Sequence, residues 1–246
     1  GVRRIAIRDV ARIVGAFSLA ETRRGSRFRD GSLFRHMSAH LIKTLPELQP
    51  GADYSAHDLA ATANAYSRAR IWDERLFRAL SGAVRRLPDR DINPRDISEI
   101  VSAFARVVTR TGSTLRDGAL FIRMAALART IHPEVLARNP RVVVNVVNAF
   151  SRAGVWDDGL FEMMSRAAKT FDAAALDVDD CAAIVVSFAK AETFAGGRRP
   201  RDRALFRRVS LIVQSQPAQA FSPRAVANIL SAFARAGVLE RGLVAY

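Results

Sequence analysis

A repeated pattern of helix-forming residues constrains the fold of this chain more than any other feature. Six segments place an aromatic residue after a small one: Gly15-Ala16-Phe17-Ser18, Asn64-Ala65-Tyr66-Ser67, Ser102-Ala103-Phe104-Ala105, Asn148-Ala149-Phe150-Ser151, Val186-Ser187-Phe188-Ala189 and Ser231-Ala232-Phe233-Ala234. We number positions from this aromatic residue, position 0. Position −11 holds a residue that favours helix N-caps in five segments: Ser55, Asn93, Asn139, Asp177 and Ser222, with Ala6 in the first segment. This constant spacing indicates an internal repeat.

An apolar stripe follows each predicted cap. Positions −7, −4, −3 and 0 are apolar or small in nearly every segment. In the first segment they are Val10, Ile13, Val14 and Phe17, and in the last they are Val226, Ile229, Leu230 and Phe233. This spacing places four side chains on one helix face. We therefore predict, in each segment, a helix A of about three turns with this face buried.

A second helix, helix B, is predicted from a Leu-Phe pair after each segment. The pairs are Leu33-Phe34, Leu76-Phe77, Leu120-Phe121, Leu160-Phe161 and Leu205-Phe206, with Leu243-Val244 in the sixth copy. Four residues before the second member stand acidic residues that suit a helix N-terminus: Asp30, Asp73, Asp117, Asp157, Asp202 and Glu240. Each unit is therefore a helical hairpin, and such hairpins stack because one alone cannot bury its apolar face.

The predicted fold is all-α: a single α-solenoid over residues 1–246, with about six stacked hairpins that alternate short and long intra-hairpin turns. The short turns are residues 69–72, 153–156 and 236–239, and the long ones are 20–29, 107–116 and 191–201. The chain starts without Met and stops within the sixth hairpin. We expect an excerpt of a longer protein, with its last hairpin truncated.

The charge balance favours a polyanionic partner. The formal net charge is +14, and three of the 38 basic residues are lysines. Arginine suits phosphates and base edges, although a GC-rich genome would produce the same bias. The single cysteine, Cys181, excludes an internal disulfide framework and a cysteine-rich zinc site. No apolar run is long enough to cross a membrane. We expect no membrane, metal, cofactor or small-molecule substrate, and no enzymatic activity, because no nucleophile, base and orienting group recur together.

The segment Ala149 to Phe161, echoed from Ala65 to Phe77, resembles the octotricopeptide and heptatricopeptide repeats. These helical repeats occur in organellar proteins, often together with a RAP domain, for which this sequence shows no residues. The resemblance implies RNA binding in mitochondria or plastids, in transcript maturation, translation control or ribosome structure. The long turns of alternate hairpins depart from the family pattern.

Polar side chains on helix A, opposite the apolar stripe, form the first candidate RNA site. Cations at position +2 are Arg68, Arg106, Arg152, Lys190 and Arg235, and the amides at positions −5 and −2 are Asn64, Asn145, Asn148 and Asn228. Helical repeats that bind single-stranded RNA present one or two such side chains per unit. Two alternatives stay open: the cations could complement the helix dipole, and the amides could bond a neighbouring repeat.

The long turns are the second candidate site. They carry Arg23, Arg24, Arg27, Arg29, Arg110, Arg116, Arg198, Arg199 and Arg201. Clustered arginines bind phosphates with release of counterions. The alternative is a solvated, disordered loop, to which Gly25-Ser26 and Gly196-Gly197 are suited.

Several other residues favour structural roles. His36 and His40 lack a third metal ligand in the sequence, and Cys181 falls at core position −7. Trp72 and Trp156 occupy corresponding short turns, where closing the hairpin is favoured over stacking on a base.

The sequence predicts a non-catalytic RNA-binding repeat protein. The favoured setting is a mitochondrial ribosome, with ribosomal RNA and neighbouring ribosomal or ribonucleoprotein subunits as partners and a plastid as the alternative location. The alternative functions are a scaffolding solenoid for proteins and an organellar transcript-maturation or translation factor.

Overall fold

A computed structural model describes residues 5–24, 31–107, 117–194 and 202–238. Within these ranges the chain forms twelve α-helices and no β-strand, which confirms the predicted all-α class. The helices are α1 (Ile7–Arg24), α2 (Gly31–Thr44), α3 (Ala56–Ala69), α4 (Glu74–Arg86), α5 (Pro94–Arg106), α6 (Gly118–Arg129), α7 (Pro133–Ala137), α8 (Pro140–Ala153), α9 (Asp158–Lys169), α10 (Val178–Phe194), α11 (Arg203–Gln214) and α12 (Pro223–Ala236).

The predicted hairpin helices begin where the caps place them. Helix A of hairpins 1 to 6 is α1, α3, α5, α8, α10 and α12, and each begins one residue after position −11. Helix B of hairpins 1 to 5 is α2, α4, α6, α9 and α11, and each begins one residue after its acidic residue. The short α7 was not predicted and precedes α8 in the join between hairpins 3 and 4.

Most predicted caps of helix A are confirmed at the level of side-chain hydrogen bonds. Ser55, Asn93, Asp177 and Ser222 each accept a hydrogen bond from the backbone N–H three residues later. The prediction is wrong for Asn139, whose side-chain amide instead donates to the carbonyl of Val135 in α7, at 2.7 Å. Because α7 leaves its last carbonyls without helical partners, the amide satisfies one of them.

Two helices of type A were predicted too short, and the turns that follow them too long. The chain stays helical through Arg24 in α1 and through Phe194 in α10, although residues 20–29 and 191–201 were predicted as turns. Neither Gly nor Pro occurs in these extensions, whereas Gly154 and Gly237 end α8 and α12 in the left-handed region. Glycine is the residue that most readily ends a helix in this way.

The chain divides into two compact units, Gly1–Leu127 and Ala128–Tyr246, each of which has two helical layers. In the first unit, α3 packs between α1 and α5, while α2 packs against α4. In the second unit, α10 packs between α8 and α12, while α9 packs against α11. Helices of the same type therefore neighbour each other within each unit, as stacked hairpins require.

A recurring pair of aromatic rings joins consecutive hairpins. The ring at position 0 contacts the phenylalanine of helix B in the preceding hairpin, with centroids 5.1–5.4 Å apart and planes 76–88° apart. The pairs are Phe34–Tyr66, Phe77–Phe104, Phe161–Phe188 and Phe206–Phe233. Edge-to-face packing of this kind adds about 0.5–1.5 kcal/mol to the burial of each ring.

The predicted apolar stripe is fully buried in the internal hairpins but not in the first and last ones. In α1, Phe17 is 45% exposed, and in α12, Val226 and Leu230 are 38% and 43% exposed. Position 0 faces the preceding hairpin, and the described residues contain no hairpin before α1 and none after α12. The prediction that these three side chains lie in the core is therefore wrong.

Candidate nucleic-acid interface

In hairpins 2 and 4 the end of helix A lies close to the start of helix B, because only four residues connect them. We call this part of a hairpin the turn end: the last turn of helix A, the connecting turn and the first two turns of helix B. The opposite part, where one hairpin joins the next, is the join end. Four of the five cations at position +2 lie in the last turn of helix A and belong to turn ends: Arg68, Arg106, Arg152 and Arg235. Lys190 lies one turn earlier, because α10 continues to Phe194.

Acidic residues at the turn ends are held in hydrogen bonds. Asp73, Asp117, Asp157 and Asp202 each accept a bond from the backbone N–H three residues later, which confirms them as N-caps of helix B. Three of them also accept from helix B of the preceding hairpin: Asp73 from Ser38, Asp157 from Arg129 at 3.0 Å, and Asp202 from Ser165 and Lys169.

Asp202 is the most heavily coordinated of these carboxylates. Partial burial acts to raise its pKa, but the hydrogen bonds from Ser165, the Leu205 N–H and Lys169 outweigh burial. The pKa of Asp202 therefore lies below its ordinary value, and the carboxylate is ionised wherever the protein is folded near neutral pH.

The cations at position +2 have fewer partners than the acidic caps. Arg68, Arg152 and Arg235 are exposed and Lys190 is half-buried, and none of the four forms a hydrogen bond or ion pair with a described residue. They leave positive charge on helices A of both units, and the cap carboxylates of hairpins 2, 4 and 5 (Asp73, Asp157 and Asp202) already accept hydrogen bonds. The dipole of helix A also favours a cation near its C-terminus, so their position alone does not distinguish the two roles.

Two predicted RNA-contacting residues bond to each other. The guanidinium of Arg106 in α5 donates to the side-chain oxygen of Asn64 in α3, at 3.4 Å. This bond joins position +2 of one hairpin to position −2 of the preceding one. It corresponds to the alternative in which the amide bonds a neighbouring repeat and does not contact RNA. In the second unit, Asn145 and Asn148 are half-buried and Asn228 is exposed.

The arginines predicted in the long turns lie mostly outside the described residues. This holds for Arg27, Arg29, Arg110, Arg116, Arg198, Arg199 and Arg201. The backbone of Arg23 and Arg24 belongs to α1, but their side chains are outside the described part of the chain. Their role in RNA binding stays a prediction.

Other arginines have structural roles that the sequence analysis missed. Arg123 of α6 donates to the carbonyls of Val84 and Leu87 at 2.8 and 2.5 Å, and Arg208 of α11 donates to the carbonyl of Phe171. Both arginines stand two residues after the phenylalanine of helix B, and both reach the end of the preceding helix B. Because helix C-termini carry unpaired carbonyls and partial negative charge, these contacts stabilise the stacking of hairpins.

Arg70 has a left-handed backbone conformation, and the corresponding position in hairpins 4 and 6 is glycine. Its φ is 55°, and Gly154 and Gly237 at the corresponding position have φ of 64° and 61°. An L-residue in this left-handed region costs about 1–2 kcal/mol. The side chain of Arg70 is exposed, so no packing in the core requires arginine here.

Replacing Arg70 with glycine is expected to raise the free energy of unfolding by about 0.5–1 kcal/mol, because relief of strain exceeds the added entropy of the unfolded chain. Urea denaturation measures the change. Arg68→Gly, two residues earlier and inside α3, is the matched control and should lower stability by about 1 kcal/mol. A destabilised Arg70→Gly variant would contradict the prediction.

The histidines and the cysteine take part in local structure. The ring nitrogens of His36 and His40 hydrogen-bond to the carbonyls of Ser32 and Ile5, at 3.0 and 3.1 Å. Across the described ranges, no group of three or more His, Cys, Asp or Glu residues could hold a metal ion. Cys181 is fully buried at core position −7, as predicted.

Cys181 is expected to be inert in the folded protein. Burial, together with the carboxylates of Asp180 and Asp177, raises the pKa of its thiol to about 12. Since the thiolate is the reacting species, Ellman's reagent at pH 8 should react on the order of a thousandfold more slowly than with the same chain in guanidinium chloride. Complete labelling within seconds in native buffer would disprove this.

The described helices include none long and apolar enough to span a membrane. No model of a known protein family matches this chain, and no curated protein is significantly similar to it. The resemblance to octotricopeptide and heptatricopeptide repeats therefore stays a prediction.

Proposed function

We propose that this chain binds RNA without catalysing a reaction, through the turn ends of its stacked hairpins. The proposal includes the single α-solenoid predicted from the repeats. The observation that supports it best is electrostatic: Arg68, Arg152 and Arg235 are exposed and have no described partner, while Asp73 and Asp157, in the hairpins of the first two, serve as N-caps.

Exposed, unpaired arginines at repeated spacing suit a phosphate backbone. A net charge of +14 draws polyanions to the chain, and arginine binds a phosphate with two parallel hydrogen bonds. The amides are less regular: Asn64 already bonds Arg106, and positions −5 and −2 include apolar residues. We therefore propose recognition of RNA shape and backbone, with limited reading of base sequence.

The resemblance to organellar repeat proteins supports a setting for this activity. We propose that the partner is ribosomal RNA in a mitochondrial ribosome. Binding to the shape of a structured RNA tolerates irregular contact positions better than reading one base per repeat does. Fractionation of the native protein tests this setting. The proposal requires the protein to sediment with ribosomal particles, and recovery in a particle-free protein complex would contradict it.

Salt-dependent binding tests the RNA proposal itself. Anisotropy of a fluorescein-labelled RNA should report an affinity that falls steeply between 50 and 300 mM KCl. The triple variant Arg68→Ala, Arg152→Ala, Arg235→Ala should reduce the slope of log K against log salt by about 2, since each lost phosphate contact contributes about 0.7 with single strands. Thermal unfolding checks that the variant remains folded.

A control variant removes the same charge from join ends. Arg90→Ala, Arg138→Ala, Arg224→Ala replaces three exposed arginines that lie in or next to the connections between hairpins. We expect a smaller change in the salt slope. If the two triple variants have equal slopes of log K against log salt, RNA is attracted by the overall positive charge of the protein and not by a site at the turn ends. Weak, salt-insensitive binding together with capture of a specific protein would favour the scaffolding alternative.

A further inference from the structure

A cavity of about 530 Å³ lies at the turn end between the first two hairpins, in the first unit. Trp72, Arg35 and Arg75 are among the side chains that line it. Its volume lies within the range of sites that bind small molecules and cofactors. A flat aromatic side chain beside two cations is a combination suited to a nucleotide, which has a flat base and an anionic phosphate.

The cavity wall has a small excess of positive charge, because three arginines (Arg35, Arg75 and Arg78) face two carboxylates (Asp73 and Glu74). Asp73 accepts hydrogen bonds from the hydroxyl of Ser38 and from a backbone N–H, and Glu74 forms an ion pair with Arg78. Arg35 and Arg75 are exposed and form no ion pair or hydrogen bond with a described residue. The cavity therefore has two guanidinium groups that can bind an anion from solution, and the carboxylate of Asp73 offsets part of their charge.

Trp72 differs from its counterpart in hairpin 4. Trp156 packs on Phe161 of its own hairpin with ring centroids 5.1 Å apart, which is the hairpin-closing contact predicted for both tryptophans. Trp72 makes no such ring contact with a described residue; it is half-exposed and lines the cavity. The stacking alternative therefore applies to Trp72 alone.

Arg70 adds an exposed cation at the same turn, two residues before Trp72. Its left-handed conformation is that of the C-cap of α3, with its backbone N–H bonded to the carbonyls of Tyr66 and Ser67. An exposed cation at this point adds to the positive charge beside the cavity.

We propose that this cavity binds one unpaired nucleotide of single-stranded RNA, with Trp72 stacking on the base and with Arg35 and Arg75 binding the phosphate. The proposal rests on the RNA-binding function proposed above and names one of its contact sites. It requires an unpaired nucleotide, because a base within a duplex has both faces covered by its neighbours.

Fluorescence of Trp72 in the full chain tests this site directly. Trp156→Phe leaves Trp72 as the one tryptophan, since the chain has two. A ten-nucleotide oligoadenylate should quench its emission saturably, AMP should do so at higher concentration, and adenosine, which lacks a phosphate, should do so least. The anisotropy of labelled oligoadenylate is measured in parallel, as a readout of total RNA binding.

Variants of the cavity provide the second readout. Trp72→Ala should weaken oligoadenylate binding by about 5- to 150-fold, the range that corresponds to the loss of one stacked base, while Trp72→Phe should recover most of the affinity. Arg35→Ala, Arg75→Ala should weaken binding more than Arg85→Ala, Arg90→Ala. The latter pair removes equal charge from exposed arginines at the opposite end of α4 and in the turn after it.

The outcomes separate this site from the general function. Binding by anisotropy with unchanged Trp72 emission, or equal effects of the two arginine pairs, would overturn the nucleotide site and leave the proposed function intact. Absence of binding by anisotropy at 50 mM KCl would overturn the proposed function and this site with it. Quenching by a polyglutamate peptide in place of RNA would identify an acidic protein segment as the occupant and overturn the proposal.

Discussion

Replacing Tyr66 with alanine is expected to lower the free energy of unfolding by about 3–5 kcal/mol, as large-to-small changes of buried aromatic residues do. Tyr66 is completely buried, and its ring stands edge-to-face on Phe34 with centroids 5.1 Å apart. Its hydroxyl donates to the carbonyl of Phe34 at 2.7 Å. The variant loses the contact that joins hairpin 2 to hairpin 1. Urea denaturation followed by circular dichroism measures the loss.

Tyr66→Phe is the matched control, because the other five segments have phenylalanine at position 0. It keeps the ring and removes the hydroxyl, so we expect a loss of about 0.5–1.5 kcal/mol, the usual net value of one hydrogen bond. A cost for Tyr66→Ala below about 1.5 kcal/mol would show that the aromatic pair does not hold the two hairpins together.

Replacing Asp202 with alanine is expected to lower the free energy of unfolding by about 2–4 kcal/mol at pH 7. The loss of an N-cap accounts for about 0.5–2 kcal/mol. The remainder arises because the Ser165 hydroxyl, in a buried residue, and the half-buried Lys169 lose their acceptor. Asp172→Ala is the control, since Asp172 is exposed and its side chain caps no helix, and it should change stability by less than about 0.5 kcal/mol.

The effect of Asp202→Ala should depend on pH in a defined direction. The pKa of Asp202 in the folded protein lies below its ordinary value. Its stabilising contribution is therefore complete above the unfolded pKa, about 3.9 for aspartate, and is lost as the pH falls through the folded pKa. The difference in unfolding free energy between the parent chain and the variant should shrink below about pH 4. A difference that stays constant from pH 7 to pH 2.5 would exclude an ionised Asp202 as its source.

Much of the secondary structure could be predicted because its determinants are local. Ser55 and Asn93 cap helices by bonding a backbone N–H three residues away, and their N3 residues Asp58 and Asp96 complete capping boxes. A pattern of Ser or Asn followed three residues later by an acid was present in the sequence and would have revealed these boxes. Asn139 shows the limit of such reasoning, because a short helix outside the repeat provides a competing carbonyl.

The candidate site could be predicted in part. The cations at position +2 were identified from their spacing, and Arg68, Arg152 and Arg235 are indeed exposed. In the hairpins of Arg68 and Arg152, the cap carboxylates Asp73 and Asp157 bond instead to residues of the preceding hairpin, 28 to 35 positions earlier in the chain. The cavity at Trp72 likewise forms from two hairpins, so no local pattern indicates it.

The sequence alone determined where the described hairpin helices begin, because caps, first-turn prolines and apolar spacing act within one or two helical turns. The tertiary structure decided which arginines are free and which serve the fold, and it left Phe17 and Leu230 exposed while burying their counterparts. The physical reason is that burial and ion pairing depend on side chains of a neighbouring hairpin, which lies about 30 to 40 residues away in the sequence. The repeat pattern within one hairpin does not show whether a neighbouring hairpin packs on it.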